Sequence, residues 1–210
     1  MMSPRRALFI VLDGADGCGK STQARLLAGA LEDAGADVVL TLEPGGTPAG
    51  QKIRHVLLDP ETGHLDPLAE ALLFCADRAQ HVRTLIRPAL HAGKTVVCDR
   101  YASATTVYQG YAGRLGVELA EQLSAMATDG LQPDLLIVLD VDAATAEQRL
   151  DAQRLDRIER NDGEFHRRVR EGFIEYAEKW AERAVVIDGA GTPEQVHQNI
   201  IAAVEEHLGI

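Results

Sequence analysis

Cysteine, aromatic residues and long apolar runs are all scarce in this sequence of 210 residues. The three cysteines, Cys18, Cys75 and Cys98, lie far apart and show no metal-ligand spacing, which argues against a disulfide framework and indicates a reducing compartment. No apolar run approaches the roughly 18 residues that a membrane-spanning helix needs. Basic residues are outnumbered by acidic ones, 21 to 32, and the net charge of −11 argues against a nucleic-acid-binding surface. We therefore expect a soluble cytoplasmic protein that binds neither nucleic acid nor membranes.

The composition is that of a folded globular chain. Hydrophobic residues make up 46% and charged residues 25% of the sequence, so a well-buried core is expected. The first residues, MMSPRRALFIVLDG, place a basic pair before an apolar run, as a signal peptide does. A phosphate-binding loop follows at once without a cleavage site, so the apolar run is expected to be the first strand. The length favours a single domain over residues 1–210.

A glycine-rich loop is the most informative motif. The stretch Phe9–Thr22, FIVLDGADGCGKST, reads as a buried strand, a complete G-x-x-x-x-G-K-[ST] phosphate-binding loop and the start of a helix. Its glycines leave backbone N–H groups accessible to a phosphate, and the helix N-terminus adds its positive end. Lys20 would contact the outer phosphates, and the Ser21 hydroxyl could ligate Mg²⁺. The predicted ATP contacts are Gly14, Ala15, Asp16, Gly17, Cys18, Gly19, Lys20, Ser21 and Thr22.

Strands and helices alternate along the rest of the chain. This alternation predicts an α/β fold with a central parallel sheet of about five strands and helices on both faces. Ligands of such sheets bind beyond the carboxyl ends of the strands. Pro88 is expected to kink or divide the long helix that contains it. The predicted strands are Leu8–Leu12, Val38–Leu42, Thr95–Cys98, Leu135–Leu139 and Ala184–Asp188, and the predicted helices include Ser21–Ala34, Leu68–His91, Val117–Thr128, Ala143–Gln153, Phe165–Trp180 and Pro193–Leu208.

The phosphate loop alone indicates only a protein that depends on a nucleoside triphosphate. A GTPase would carry a guanine-reading Asn-Lys-x-Asp motif, which the sequence lacks, and motor and pump ATPases are usually much longer. A small domain with an arginine-rich late segment fits a kinase of small molecules, which must exclude water from the reaction. That segment is Arg154–Asp162, RLDRIERND, and by composition alone it would be a solvated helix face.

Six stretches, in this order and spacing, give the chain a resemblance to bacterial thymidylate kinases of the P-loop nucleoside monophosphate kinase superfamily. They are GADGCGKST, EPGGT (Glu43–Thr47), LLFCADRAQHV (Leu72–Val82), DRYASATTVYQG (Asp99–Gly110), QPDLLIVLDV (Gln132–Val141) and LDRIE (Leu155–Glu159). The resemblance implies a P-loop kinase fold with an arginine-rich lid at about residues 153–163. It also implies phosphoryl transfer from Mg²⁺–ATP to dTMP, giving dTDP and ADP, and a homodimer.

The resemblance implies contacts to the base and phosphate of dTMP. Phe74 would stack on the thymine ring, and Arg78, four residues later on the same helix face, would hydrogen-bond a base carbonyl. Arg100 would grip the phosphate with its guanidinium fork, and Asp99 would support the Mg²⁺ shell or orient Arg100. Phe74 could instead be a core aromatic residue, and Asp99 with Arg100 could form a structural ion pair.

The resemblance also places residues around the sugar. Asp16 would lie near the 3′-hydroxyl and a magnesium position between the phosphates. Tyr108 would close under the deoxyribose, where a ribose 2′-hydroxyl would clash. Thr105 and Gln109 would line the base and sugar pocket, although Gln109 could also be a simple packing residue.

In this family the charged late segment resembles a mobile lid over ATP. The loop carries Gly17 where eukaryotic-type enzymes have an arginine, and lid arginines would supply that charge, which can be worth ~10³–10⁵ in rate. Arg160 is a further candidate, Arg149 would lie nearer the adenine, and Glu159 would approach the magnesium site. The implied catalytic set is Lys20, Asp16, Arg100, Arg154 and Arg157, and the implied metal set is Ser21, Asp16, Asp99 and Glu159.

Two positions depart from the family pattern. Leu42 stands where an arginine commonly precedes EPGGT, and Ala104 stands where a serine is usual, with Ser103 one residue early. Two rival functions are a different nucleotide or deoxynucleoside kinase and a regulatory protein that binds nucleotide without turnover. The intact Lys20 and the lid arginines argue against the regulatory protein, because binding alone needs no lid.

Overall fold

A five-stranded parallel sheet forms the centre of the protein. The computed structural model describes residues 7–113, 115–150 and 155–209. The strands lie in the order β2-β3-β1-β4-β5, and all four neighbouring pairs are parallel, so the predicted sheet is confirmed. The strands are β1 Phe9–Gly14, β2 Val38–Leu42, β3 Thr95–Asp99, β4 Leu135–Asp140 and β5 Ala184–Asp188.

Helices cover both faces of this sheet. Asp66 caps α3 by accepting hydrogen bonds from the backbone of Leu68 and Ala69, and Thr192 forms a reciprocal capping box at the start of α9. No helix among the described residues is long and apolar enough to cross a membrane. The helices are α1 Lys20–Asp33, α2 Pro48–Leu58, α3 Pro67–His81, α4 Arg87–His91, α5 Ala102–Thr105, α6 Val117–Thr128, α7 Ala143–Arg149, α8 Gly163–Lys179 and α9 Pro193–Leu208.

The central strand β1 is buried along its whole length because both of its faces pack on helices. Phe9 and Val11 point into the core that includes Val169 and Phe173 of α8. Ile10 and Leu12 alternate with them and point into the opposite core, beneath α1 and α9. In register, Leu12 lies beside Asp99 of β3 and Ile137 of β4, so the carboxyl ends of the three strands meet at one edge.

The backbone stays helical from Pro67 to His91, so the expectation that Pro88 divides this helix in two is wrong. Between α3 and α4 the segment Val82–Ile86 forms a wider, π-helical turn, and the backbone stays helical at Val82 and Arg87. Proline lacks the N–H of an ordinary i→i−4 hydrogen bond, and its ring crowds the carbonyl one turn earlier. The wider turn accommodates both defects while the helix continues.

One helical region was not predicted. Helix α5 continues into a second π-helical segment, Thr106–Ala112, directly after β3. Most of its residues are buried, so it shows no amphipathic period that the sequence could reveal. The predicted helix Ala143–Gln153 is helical only through Arg149, and its last predicted residues lie outside the described ranges.

Candidate active site

A cavity of about 470 Å³ opens at the carboxyl ends of β1, β2 and β3. It lies where ligands of parallel sheets are expected. Gly14, Ala15, Cys18, Arg78 and Arg157 are not among its lining residues, and Arg154 lies outside the described residues. The predicted site residues that do line it are Asp16, Gly17, Gly19, Lys20, Ser21, Thr22, Phe74, Asp99, Arg100, Thr105, Tyr108, Gln109, Arg149 and Glu159.

The glycine-rich loop at one end of the cavity has a backbone that only glycine fits. Gly14 and Gly17 both have positive φ angles, 137° and 77°. A Cβ on Gly14 would collide with the carbonyl oxygen of Leu139, and one on Gly17 would collide with that of Ala146. The Lys20 side chain is largely buried, and its ammonium nitrogen donates to the Ala15 carbonyl at 2.7 Å. The loop therefore surrounds the side chain of Lys20, which would bind the phosphates.

The strand β3 delivers two functional groups to the same edge. Asp99 ends the strand and accepts a hydrogen bond from the hydroxyl of Ser21, in the first turn of α1. A hydroxyl beside a carboxylate is an oxygen donor set that suits Mg²⁺, which keeps several waters and takes few protein ligands. Among the described residues no cluster of three or more His, Cys, Asp or Glu side chains is arranged to hold a metal.

Arg100 is the centre of a dense polar network. Its Nη1 donates to Asp13 Oδ1 at 3.1 Å and to the Gly14 carbonyl at 3.0 Å. Its Nη2 donates to Asp16 Oδ1 and, at 3.1 Å, to Tyr108 Oη. Only its Nε–H has no partner among the described residues. Arg100 pairs with Asp13 and Asp16, and not with Asp99 as the structural alternative had it, and its contact with a dTMP phosphate stays a prediction.

Two carboxylates face Arg100 in different environments. Burial raises the pKa of Asp13, even though Arg100 and the hydroxyl of Ser103 act in the opposite direction. Burial also acts to raise the pKa of Asp16, but the charges of Arg100 and Lys20 and the Tyr108 hydrogen bond outweigh it and leave this pKa below its usual value. Asp13 is a fully buried residue that the motif analysis overlooked, and its ion pair holds Arg100 in place.

Tyr108 forms one wall of the cavity beside this network. Its hydroxyl donates to Asp16 Oδ2 at 2.7 Å, and the Arg100 guanidinium carbon lies 5.0 Å from the centre of its ring. The ring packs against Phe165 and Phe173 of α8, with centroid distances of 6.2 and 5.9 Å. The side chain is 94% buried and has little freedom to move away from a ligand.

Phe74 and Arg78 share a face of α3, as their spacing predicts, but they lie at different depths. Phe74 lines the cavity and also packs against the core behind it, so both interpretations of this residue have support. Arg78 is 1% exposed and lies beneath the cavity. Its guanidinium donates to Glu43 Oε2 at 2.7 Å, to Thr105 Oγ1 at 3.0 Å and to the Tyr101 carbonyl at 2.8 Å. Its contact with a base carbonyl stays a prediction.

A buried polar cluster that the motifs did not reveal supports the EPGGT segment. Glu43 accepts from Arg78 and lies 2.9 Å from His81 Nδ1, and His81 Nε2 lies 2.7 Å from Thr41 Oγ1. Asp77 Oδ1 accepts from the backbone N–H of Gly45 at 3.1 Å. The members of this cluster come from β2, the segment after it and α3, so spacing in the sequence could not connect them.

The charge on Asp77 should make stability fall as pH rises. Burial, and then the charge of Glu43, raise the pKa of Asp77 from 3.8 to about 6. Between these two values Asp77 binds more proton in the folded state than in the unfolded state, so its contribution to the free energy of unfolding decreases with pH in that window. Asp77→Asn should therefore gain about 2–3 kcal/mol relative to the wild type between pH 4 and pH 7. Urea unfolding of both proteins across this range measures the difference.

The matched control for Asp77→Asn is Asp33→Asn, on the exposed end of α1. It shows how much of the effect of Asp77→Asn comes from replacing any aspartate with asparagine. Parallel stability curves for Asp77→Asn and the wild type would show that Asp77 stays ionised in the folded protein.

The charged late segment is not a solvated helix face, because its described residues 155–162 form turns and Ile158 is buried in the core. Arg157 is not brought to the phosphate loop. Its Nε donates to the Leu57 carbonyl at 2.8 Å, and its Nη2 pairs with Glu70 on α3. Arg160 is exposed and bonds the Leu155 carbonyl at 3.1 Å.

Two carboxylates of this segment do reach the cavity. Asp156, which was not predicted, caps the turn by accepting from the backbone N–H groups of Ile158 and Glu159 at 2.8 and 2.9 Å. Burial raises the pKa of Asp156 and of Glu159, and the charge of Asp16 adds to the effect in both. Three acidic groups therefore approach one another where phosphates and a cation would meet.

Arg149 lines the cavity on the side of the phosphate loop. Its Nη1 donates to the Gly189 carbonyl at 3.0 Å, which holds the loop after β5. Beside it a smaller hollow is lined by Gly19, Thr22 and Pro193, on the outer side of the phosphate loop. The contact of Arg149 with adenine stays a prediction.

The two departures from the family pattern have local substitutes. Leu42 lines the cavity, and Arg54 also lines the cavity and donates to the Pro44 carbonyl at 2.8 Å. Arg54 thus brings a guanidinium group to the same cavity. Ala104 lines the cavity as well, while Ser103 donates to Asp13 Oδ2 at 2.7 Å and helps to fix the partner of Arg100.

Comparison with known proteins identifies the family. The sequence model of the thymidylate kinase family matches residues 12–200. Thymidylate kinase of Pelotomaculum thermopropionicum is 46% identical over 202 residues, covering 95% of this chain and 94% of the relative, and that of Clavibacter michiganensis is 48% identical over 191 residues, covering 90% of each. The crystal structure of thymidylate kinase from Ehrlichia chaffeensis superimposes with a TM-score of 0.78 at 36% identity, covering 94% of this chain and 98% of that one. The chain belongs to the thymidylate kinase family.

Proposed function

We propose that this protein transfers the γ-phosphoryl group of ATP to dTMP, giving dTDP and ADP. One observation carries the proposal: a phosphate-binding loop and a fixed arginine–aspartate–tyrosine network face a single cavity. The loop fits the donor triphosphate, and the network fits a second, smaller phosphorylated ligand. The membership of the family and the relatives' shared name supply the identity of that ligand.

The proposed donor site is built by the loop and the start of α1. Backbone N–H groups and the Lys20 ammonium would hold the β- and γ-phosphates and neutralise charge as the γ-phosphoryl group leaves. The side chain of Arg149 would border the adenine. Ser21 and Asp99 would hold Mg²⁺, which would offset the negative charge of the phosphates.

The proposed acceptor site lies across the cavity. Phe74 would stack on the base, Thr105 and Gln109 would line the base pocket, and Tyr108 would close under the sugar. Arg100 and Asp16 would place the acceptor phosphate in line with the γ-phosphorus, because phosphoryl transfer depends mainly on positioning and charge neutralisation. The transfer is direct, with no covalent enzyme intermediate.

The segment around residues 153–163 is proposed to act as a lid in a single domain spanning residues 1–210. Asp156 and Glu159 already line the cavity, so the proposed lid is in contact with the site that it would cover. Arg154 and Arg157 are the proposed lid cations. A homodimer in the cytoplasm completes the proposal, supported by the exposed apolar side chains of Leu68 and Leu72 on α3 and Met126 on α6.

The test is ADP formation from Mg²⁺–ATP with dTMP, thymidine, dUMP, dCMP, AMP and GMP as separate acceptors. We expect strong preference for dTMP, because only it meets the base, sugar and phosphate contacts together. Preference for thymidine would instead indicate a nucleoside kinase, and tight ATP binding without any turnover would indicate a regulatory protein.

Tyr108→Ala should relax the selection against ribonucleotides. The buried ring lies against Phe173 and leaves little room beneath a sugar, so removing it opens space for a 2′-hydroxyl. We expect the ratio of kcat/KM for dTMP to that for its ribose counterpart to fall at least about tenfold, since a tight packing contact is worth ~1–3 kcal/mol. Steady-state kinetics on both nucleotides measure this ratio.

Tyr108→Phe is the matched control, because it keeps the ring and removes only the hydroxyl that contacts Asp16 and Arg100. It should lower kcat but preserve the sugar ratio. An unchanged ratio in Tyr108→Ala would refute the sugar-gate role.

A further inference from the structure

A single carboxylate, Glu70, joins the wall of the acceptor pocket to the proposed lid. Glu70 lies on α3, one turn before Phe74. Its Oε1 accepts a hydrogen bond from Gln109 Nε2 at 2.8 Å, and its Oε2 pairs with Arg157 Nη2 at 2.5 Å. The side chains of Glu70 and Arg157 are only 17% and 14% exposed. None of the family stretches identified in the sequence contains Glu70.

The position of Glu70 is fixed from both sides. Arg157 donates its Nε–H to the Leu57 carbonyl at 2.8 Å, and its backbone N–H donates to the Leu58 carbonyl at 3.0 Å. The arginine is therefore attached to the end of α2 independently of Glu70. Gln109 is 4% exposed and has little room to rotate. Glu70 thus links two side chains that are themselves held in place.

This arrangement decides which end of the Gln109 amide meets a ligand. A glutamine amide has a donor end, NH₂, and an acceptor end, C=O, whereas an ionised carboxylate only accepts. Gln109 must therefore turn its NH₂ toward Glu70. Its Oε1 accepts no hydrogen bond from a described residue, while the side chain lines the cavity. The carbonyl oxygen is the polar atom that remains for a nucleotide.

A carbonyl oxygen discriminates between pyrimidine bases. Thymine and uracil carry a donor at N3–H, which the oxygen can accept. Cytosine carries an unprotonated N3, which is itself an acceptor. A lone pair of the Gln109 oxygen would then face the lone pair of this nitrogen. A buried site built for a donor rejects a ligand that lacks it, because its polar group is then left unpaired.

We propose that Glu70 is a positioning residue that fixes the Gln109 amide with its oxygen toward the base, and that it thereby makes the pocket select N3–H bases over cytosine. The inference rests on the proposed function, since it concerns the acceptor base of that reaction. It adds a residue outside the cavity wall to those that determine specificity, and it gives Arg157 a role in holding that residue.

The test is Glu70→Gln, which keeps the size of the side chain but can present either a donor or an acceptor to Gln109. The Gln109 amide can then flip, so that its NH₂ group and its oxygen exchange places. We expect the ratio of kcat/KM for dTMP to that for dCMP to fall at least tenfold, and the ratio of equilibrium dissociation constants to change alike. The ratio of dTMP to dUMP should stay within twofold of the wild type, because both bases carry N3–H. Partial unfolding of the variant cancels in every ratio.

A double-mutant comparison separates positioning from a general structural role. Gln109→Leu removes the proposed acceptor, so adding Glu70→Gln to it should change the dTMP/dCMP ratio no further. The exposed control Glu118→Gln should leave all ratios unchanged. The inference is overturned if Glu70→Gln keeps the wild-type dTMP/dCMP ratio, or lowers the dTMP/dUMP ratio equally, or acts undiminished in the Gln109→Leu background. A wild-type protein with no preference for dTMP would contradict the proposed function itself.

Discussion

Lys20→Ala is expected to lower kcat for dTDP formation by about 10³-fold, because it removes a cation from charge that develops in the transition state. The Lys20 side chain is buried in the loop and carries its ammonium group to the end of the cavity where the phosphates would lie. Its hydrogen bond to the Ala15 carbonyl also keeps the loop closed. The backbone N–H groups of the loop would still bind the phosphates, so loss of the lysine should weaken ATP binding less than it slows transfer. Single-turnover kinetics and ATP titration measure the two effects separately.

Lys52→Ala, on the exposed face of α2, is the matched control for the loss of a lysine. It should retain the wild-type rate and melting temperature. Lys20→Ala should also melt within a few degrees of the wild type, since β1 before the loop and α1 after it hold the ends of the loop. Near-normal turnover by Lys20→Ala would refute the assignment of the phosphate loop.

The elements that the sequence predicted well are those with local signals. Strand Val38–Leu42, helix Val117–Thr128 and helix Pro193–Leu208 were predicted with the observed bounds. Each follows from a hydrophobic pattern bounded by glycine, proline or a capping residue. The helix from Ala102 through Ala112 was missed, because most of its residues are buried and its β-branched and aromatic side chains show no polar face.

The residues of the site also differ in whether a local signal in the sequence reveals them. The phosphate loop is contiguous, so its residues could be found from spacing alone. Arg100 and its partner Asp13 are 87 positions apart, and Gln109 is 39 positions from Glu70. No periodicity connects such pairs; only the order β2-β3-β1-β4-β5 brings Asp13 and Arg100 to one edge of the sheet. The family resemblance supplied the residues that line the pocket, but not Asp13 and Glu70, which hold Arg100 and Gln109 in place.

Arg100→Met should cost both stability and catalysis. The substitution keeps much of the side-chain volume but removes the cation between Asp13, which is fully buried, and Asp16. Breaking a buried ion pair typically costs about 3–5 kcal/mol, because it leaves an uncompensated charge. We expect a loss of about 3 kcal/mol in the free energy of unfolding and a fall of about 10³-fold in kcat/KM for dTMP. Urea unfolding and steady-state kinetics at saturating ATP measure the two losses.

Arg100→Lys separates the two losses. An ammonium group can still pair with Asp13 and Asp16, so it should recover most of the stability. It cannot reproduce the planar fork that donates to Asp13, Gly14, Asp16 and Tyr108 at once, so the rate should stay at least about 10²-fold low. The exposed Arg83→Met should change neither quantity. If Arg100→Lys recovered rate and stability together, a point charge alone would be sufficient, and the geometry of the fork would have no part in aligning the acceptor phosphate.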